Sequence, residues 1–154
     1  MIRLANINDY NKVSKVHYEV HKIHADNRPD IFNDIDNTLD KEYYNSLIKS
    51  DAENIFVYEK DAEIIAFAII KESKSKDLGL MKSRNFLYIN DFVVSSVYRG
   101  KGVSKELYNY IKEYAKNKKM DAIELGVWSF NERAIKFYEN MGMQEKMKRM
   151  EDIL

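Results

Sequence analysis

From residue 85 to residue 104 the chain reads Asn-Phe-Leu-Tyr-Ile-Asn-Asp-Phe-Val-Val-Ser-Ser-Val-Tyr-Arg-Gly-Lys-Gly-Val-Ser. Residues 85–94 are apolar on both faces, which marks a strand covered by other elements on both sides. The strand ends at a turn carrying two glycines and passes straight into a helix that buries Val103, Leu107, Ile111 and Tyr114 at helical spacing. One polar pair, Asn90 and Asp91, interrupts the strand, an arrangement that is costly in a buried setting unless the groups are paired or used.

The turn has the makings of an anion site. Glycine permits close backbone approach, Arg99 and Lys101 bring positive charge, and the first N–H groups of a helix lack internal partners. Two common phosphate motifs fail here. A Walker loop requires Gly-x-x-x-x-Gly-Lys-Ser/Thr, whereas Gly100, Lys101, Gly102 and Ser104 are wrongly spaced. The dinucleotide pattern Gly-x-Gly-x-x-Gly meets Lys105 at its third glycine, and the loop does not open a doubly wound sheet.

The run resembles the pyrophosphate loop of the GNAT superfamily of acetyl-CoA-dependent N-acetyltransferases, Arg/Gln-x-x-Gly-x-Gly/Ala, with Arg99, Gly102 and Ser104 in its defined places and Ser104 replacing the usual Gly or Ala. A second stretch, with Asn131, Ala134, Phe137, Tyr138, Gly142 and Met143, is similar to the family's Asn-x-x-Ala-x-x-Phe-Tyr-x-x-x-Gly-Phe segment, with Met143 in place of an aromatic. The resemblance implies an α/β (α+β) GNAT fold over residues 1–154 as a single domain. It implies a central mixed, mostly antiparallel sheet of about six to seven strands flanked by about four helices.

Local patterns give the element order. Strands are expected at residues 2–4, 54–59, 64–71, 85–94, 123–127 and 143–150. A tight turn at 60–63 makes the second and third a hairpin. Helices are expected from about Asp9 to Arg28-Pro29, around Tyr43 to Ile48, after the glycine turn, and from an Asn131 cap to Gly142. Residues 27–37 and 72–84 read as loops. His17, His21 and His24 lie at i, i+4 and i+7 without the carboxylate of a His-Glu-x-x-His motif, so they read as helix surface, and no metal is expected.

The 25 basic and 25 acidic residues cancel, leaving no global field to recruit nucleic acid or an anionic membrane. No stretch reads as a signal peptide or membrane span, and a cytoplasmic setting is the expectation. With no cysteine there is neither a disulfide nor a cysteine acyl-enzyme.

The resemblance implies acetyl-CoA as co-substrate, with the backbone of Phe92, Val93 and Val94 along the pantetheine arm. Arg99, Gly100, Lys101, Gly102, Val103 and Ser104 would hold the pyrophosphate. Asn131 is shared between a pantetheine contact and its helix cap. Tyr138 matches the general acid that protonates the departing thiolate. Asn90 stands where many relatives carry a glutamate base, and an amide cannot take a proton. Strand alternation then directs Asp91 to a structural pairing, so deprotonation is expected through water, with Asn90 ordering it and His24, Asp26 or Tyr43 helping. A base or water chain matters because deprotonating an alkyl amine at pH 7 costs about 4 to 5 kcal/mol.

The expected partner is a small-molecule or peptide amine, with the segment from His17 to Leu47 shaping its side of the site. Asp26, Asp30, Asp34 and Asp36 there are possible attractants for a cation. A homodimer is a further expectation. The alternatives are a non-catalytic acyl-CoA-binding regulatory domain, a protein or peptide N-terminal acetyltransferase, and a cofactor-free homodimeric scaffold.

Overall fold

Residues 64–70, Ile-Ile-Ala-Phe-Ala-Ile-Ile, are all buried and form the middle of the molecule. A strand so apolar needs cover on both faces, and the computed structural model, which describes all residues from Met1 to Leu154, supplies it. The elements in chain order are β1 (Ile2–Leu4), α1 (Tyr10–Asn27), α2 (Lys41–Ile48), β2 (Glu53–Lys60), β3 (Glu63–Ser75), β4 (Arg84–Val94), α3 (Val103–Asn117), β5 (Ala122–Leu125) and α4 (Glu132–Asn140).

The sheet runs β1-β2-β3-β4-β5; all pairs are antiparallel except β4 with β5, which are parallel and joined by the α3 crossover. On one face Phe67 and Ile69 meet Val13, Val16, Tyr44 and Leu47 of α1 and α2. On the other, Ala66, Ala68 and Ile70 meet Leu107, Tyr108 and Ile111 of α3, with Phe137 and Tyr138 of α4 packed at the margin. The small alanines leave room for α3 to lie close, and the hairpin between β2 and β3 closes through Asp61 and Ala62, both at positive φ as a two-residue primed turn requires.

Three expectations need correction. The sheet has five strands, because residues 144–154 make no backbone hydrogen bond and 143–150 do not form a strand. Met147 and Met150 are an odd number of residues apart and so project to opposite sides of an extended chain, which leaves no apolar face to bury. The loop at 72–84 shrinks to 76–83, since β3 continues to Ser75 and pairs it with Arg84. Ladder hydrogen bonds come from backbone, so polar side chains did not stop the strand. Finally, β5 ends at Leu125, short of Val127, where Gly126 lets the Tyr88 hydroxyl come within 3.3 Å of where a Cβ would stand.

Candidate active site

The parallel pair β4 and β5 is in register only from Phe86↔Ala122 to Ile89↔Leu125; beyond Ile89 the strands part. Phe92, Val93 and Val94 therefore lie where the β5 side of β4 carries no neighbouring strand. Their side chains remain anchored, with Val93 in one core and Val94 in the other, while Phe92 stacks on Phe137 at 5.8 Å.

At the parting point β4 also bulges. Ile69 faces Asp91 and Ile70 faces Ile89, which makes Asn90 the extra residue. A bulge re-aims the side chains around it, so strict alternation does not hold between Asn90 and Asp91. Asn90 is exposed and Asp91 is half-buried. The structural pairing expected of Asp91 is missing, for its carboxylate makes no hydrogen bond or ion pair with the protein. Burial pushes its carboxyl above the usual carboxylate range, against a smaller pull from His24. Asp91 in turn contributes to raising Tyr43 and Tyr138, after burial in both cases, which gathers these groups around one carboxylate. Asp26 is not among them; it is exposed and lies 3.9 Å from Lys22.

Tyr138 is held by rings: Phe137 at 5.3 Å, Phe92 at 6.1 Å and Tyr108 at 6.5 Å. Its hydroxyl has no hydrogen-bond partner in the protein, and burial, with Tyr108 and Asp91, pushes its pKa well up. The phenol is thus protonated throughout the neutral range.

Past β4 the chain makes a one-turn 3-10 segment, Ser96–Tyr98, fixed from α1 by Glu19. Ser95 Oγ donates to Glu19 Oε1 at 2.9 Å and the Ser96 N–H donates to Oε2 at 2.6 Å. Although burial opposes it, these bonds and the charge of Arg99 hold the Glu19 carboxyl below its ordinary pKa. Arg99 turns back so that Nε donates to the Val94 carbonyl at 3.0 Å, while Lys101 Nζ lies 5.4 Å from the centre of the Tyr98 ring.

Gly100 and Gly102 both have positive φ, +75° and +84°, and Gly102 opens α3 without any side-chain cap. No N–H from residue 100 through residue 105 donates to the protein; the first helical bond is Glu106 N–H to the Gly102 carbonyl. Six consecutive amides, including those of Val103 and Ser104, are therefore free at the positive end of a helix dipole, with no carboxylate between Arg99 and Lys105. Asn131 Oδ1 accepts from the Ala134 N–H at 3.2 Å, so the cap is made, and its Nδ2 stays unengaged.

The opposite wall comes from α1 and the loop after it. His17 and His24 pack against other elements, which corrects the helix-surface reading for them, while His21 stays partly exposed. His17 Nδ1 is 2.9 Å from Thr38 Oγ1, its ring stacks on Phe67, and burial drops its pKa to about 4. His21 Nε2 is 2.7 Å from the Asn33 carbonyl oxygen. His24, Phe32, Trp128 and Phe130 form a closed ring of aromatic contacts at 5.2 to 5.9 Å. No cluster of three potential metal ligands forms. Of the loop acids, Asp30 is bound by Arg28 and Asp34 by Lys22, which spends their charge on the loop itself.

Sequence reasoning missed the aromatic ring and the Glu19 clamp. Trp128 and Phe130 directly precede Asn131, a position that hinted at the first; nothing local pointed to the second.

The parted parallel strands, the bulge and the uncapped glycine turn come together at the end of β4 in a mixed α/β fold. The chain belongs to the acetyltransferase (GNAT) family, whose sequence profile matches residues 17–143. It is 30% identical over 104 residues to an uncharacterized N-acetyltransferase of Methanocaldococcus jannaschii, covering 68% of this chain and 45% of that protein. It is 33% identical over 64 residues to thialysine N-ε-acetyltransferase of Bos taurus, covering 42% and 37%. The chain thus spans less than half the length of these two relatives. The crystal structure of a tetramutant of a Bacillus halodurans protein superimposes with a TM-score of 0.97 at 34% identity, over 100% of this chain and 99% of that one. No helix is long and apolar enough to cross a membrane.

Proposed function

We propose that this chain transfers the acetyl group of acetyl-CoA directly to a primary amine of a small molecule, with no covalent acyl-enzyme. The single observation that carries the reading is the run of six unpartnered amides at residues 100–105, at the end of the strand that bears Asp91. Those amides and the free terminal nitrogens of Arg99 fit a diphosphate, with no carboxylate in the turn from Arg99 to Lys105 itself. Phe92, Val93 and Val94 fit an extended amide-bearing arm, since their backbone on the β5 side has no strand to satisfy it.

Acetyl-CoA brings an acyl group already activated as a thioester. The protein's tasks are to orient the amine, take its proton and return one to the departing sulfur. Asp91 accepts the amine proton: it is unpaired, and its raised pKa brings it nearer to the amine's than an exposed carboxylate would be. Asn90, exposed beside it on the bulge, orients the amine or a water between the two. Tyr138 donates its hydroxyl proton to the sulfur. The two are coupled through charge. A proton arriving on Asp91 removes one of the influences that raise Tyr138, so the phenol becomes the better donor when the amine has become nucleophilic.

A small cationic acceptor is supported by the aromatic ring of His24, Phe32, Trp128 and Phe130 near Asp91, since ring faces attract ammonium groups. The similarity to an enzyme named for acetylating thialysine points the same way. Thiol release on a panel of spermidine, a lysine analogue, an aminoglycoside and an alanine-starting peptide tests this. Turnover with the small amines and none with the peptide is expected; peptide turnover alone redirects the reading to N-terminal acetylation, and no thiol release with any amine leaves a binding domain.

The loop assignment has its own test. Gly102→Asp puts a carboxylate against the diphosphate at a position with φ of +84°, which disfavours any side chain. Acetyl-CoA affinity measured by calorimetry is expected to fall by about 10²-fold, about 2.7 kcal/mol. Undiminished affinity would move the diphosphate elsewhere.

A further inference from the structure

We infer, on the basis of that transfer to a small amine, that the acceptor is amino-acid-like, a primary ammonium joined by a short flexible stem to a carboxylate, and that Arg28 determines this specificity by taking the carboxylate in place of Glu151. Arg28 closes the last turn of α1, its N–H donating to the His24 carbonyl at 2.8 Å. The two residues are one helical turn apart, about 6 Å along the axis, and their side chains rise from the same face. Both border the aromatic ring. His24 lies 5.2 Å from Phe32, Phe32 lies 5.4 Å from Trp128, and the Arg28 guanidinium lies 5.7 Å from the centre of the Trp128 ring. The wall therefore runs from His24, which feels the charge of Asp91, to a fixed cation.

That cation already holds two carboxylates, with unequal grips. Asp30 takes it by a pair of parallel hydrogen bonds, Nε to Oδ1 at 2.8 Å and Nη2 to Oδ2 at 2.7 Å. Glu151, from the segment after α4, forms a single ion pair with Nη1 at 2.7 Å through a side chain that is 55% exposed. A bidentate pair is strong and fixed in geometry, whereas an exposed single ion pair contributes little, so Glu151 is the exchangeable one. Its departure frees Nη1, and Nη2 keeps a second N–H beside it, which together make a fork for a carboxylate. Exchanging one carboxylate for another leaves the charge around Arg28 balanced. With the ammonium at Asp91, a stem of about four carbons spans the turn from His24 to Arg28 and lies against the rings of Phe32 and Trp128. An amine without a carboxylate gains nothing at this end.

L-lysine and 1,5-diaminopentane differ only in the carboxylate and provide the test, with thiol release from acetyl-CoA as the readout. The parent chain should favour lysine in kcat/KM by at least about tenfold. Arg28→Gln should cut that preference to about twofold or less, chiefly through a higher KM for lysine, because the lost contact holds substrate and transition state alike. Glu151→Gln removes the competing carboxylate and should widen the preference by about threefold through a lower KM for lysine. As Glu151 is exposed, that variant decides the matter even if Arg28→Gln folds poorly. Equal kcat/KM for the two amines in the parent, a preference that Arg28→Gln leaves intact, or one that Glu151→Gln does not widen overturns the assignment while acetyl transfer stands. Thiol release with neither compound overturns it as well, and only silence with every amine of the wider panel takes the transferase reading with it.

Discussion

Replacing Tyr138 by phenylalanine is expected to lower kcat by about 10²-fold or more, the usual contribution of a general acid. The ring contacts with Phe92, Tyr108 and Phe137 survive the change, since only the hydroxyl is lost. That hydroxyl bonds to nothing in the protein, so no buried partner is orphaned and stability should not fall. Acetyl-CoA affinity should stay within about a factor of two, because a group acting on the departing sulfur contributes mainly in the transition state. Steady-state kinetics beside calorimetry separate the two effects. Unchanged kcat would reduce Tyr138 to a packing residue.

The second large effect is expected from Asp91→Asn. In the parent enzyme kcat/KM should climb in two stages as pH rises, one from the substrate amine at high pH and one from Asp91 above the ordinary carboxylate range. The variant should lose the lower stage and run about 10²-fold slower above it. Its stability should move the other way. A carboxyl whose folded pKa is raised binds its proton more tightly in the native state, so its cost to folding grows as pH rises from the unfolded to the folded pKa and is complete above both. Asn carries no such cost, and at neutral pH the variant should melt at a higher temperature than the parent, the exchange of stability for activity expected of a functional carboxylate. A pH profile identical to the parent's would return deprotonation to a water chain around Asn90.

Much of the fold was legible. The apolar run before Arg99 and the helical spacing from Val103 to Tyr114 identified β4 and α3, and Asn131 with Gly142 bracketed α4 correctly. These are local signals, carried by side chains a few residues apart and by the few residue types suited to a cap or a positive φ. What failed depended on partners distant in the chain. The extension of β3 to Ser75 rests on pairing with Arg84 across the loop, and the inward turn of His17 rests on Phe67 and Thr38.

The candidate site divides along the same line. Sequence alone determined the strand, glycine turn and helix, and with them the free amides from residue 100 to residue 105, because that chemistry is written in consecutive residues. Only the tertiary structure decided that Asp91 is unpaired and shares its surroundings with His24, Tyr43 and Tyr138. Its register depends on a bulge against β3, and its field on helices and a loop that meet it from far along the chain. Backbone conformation follows from neighbours in sequence, whereas the ionisation of a buried carboxylate follows from neighbours in space.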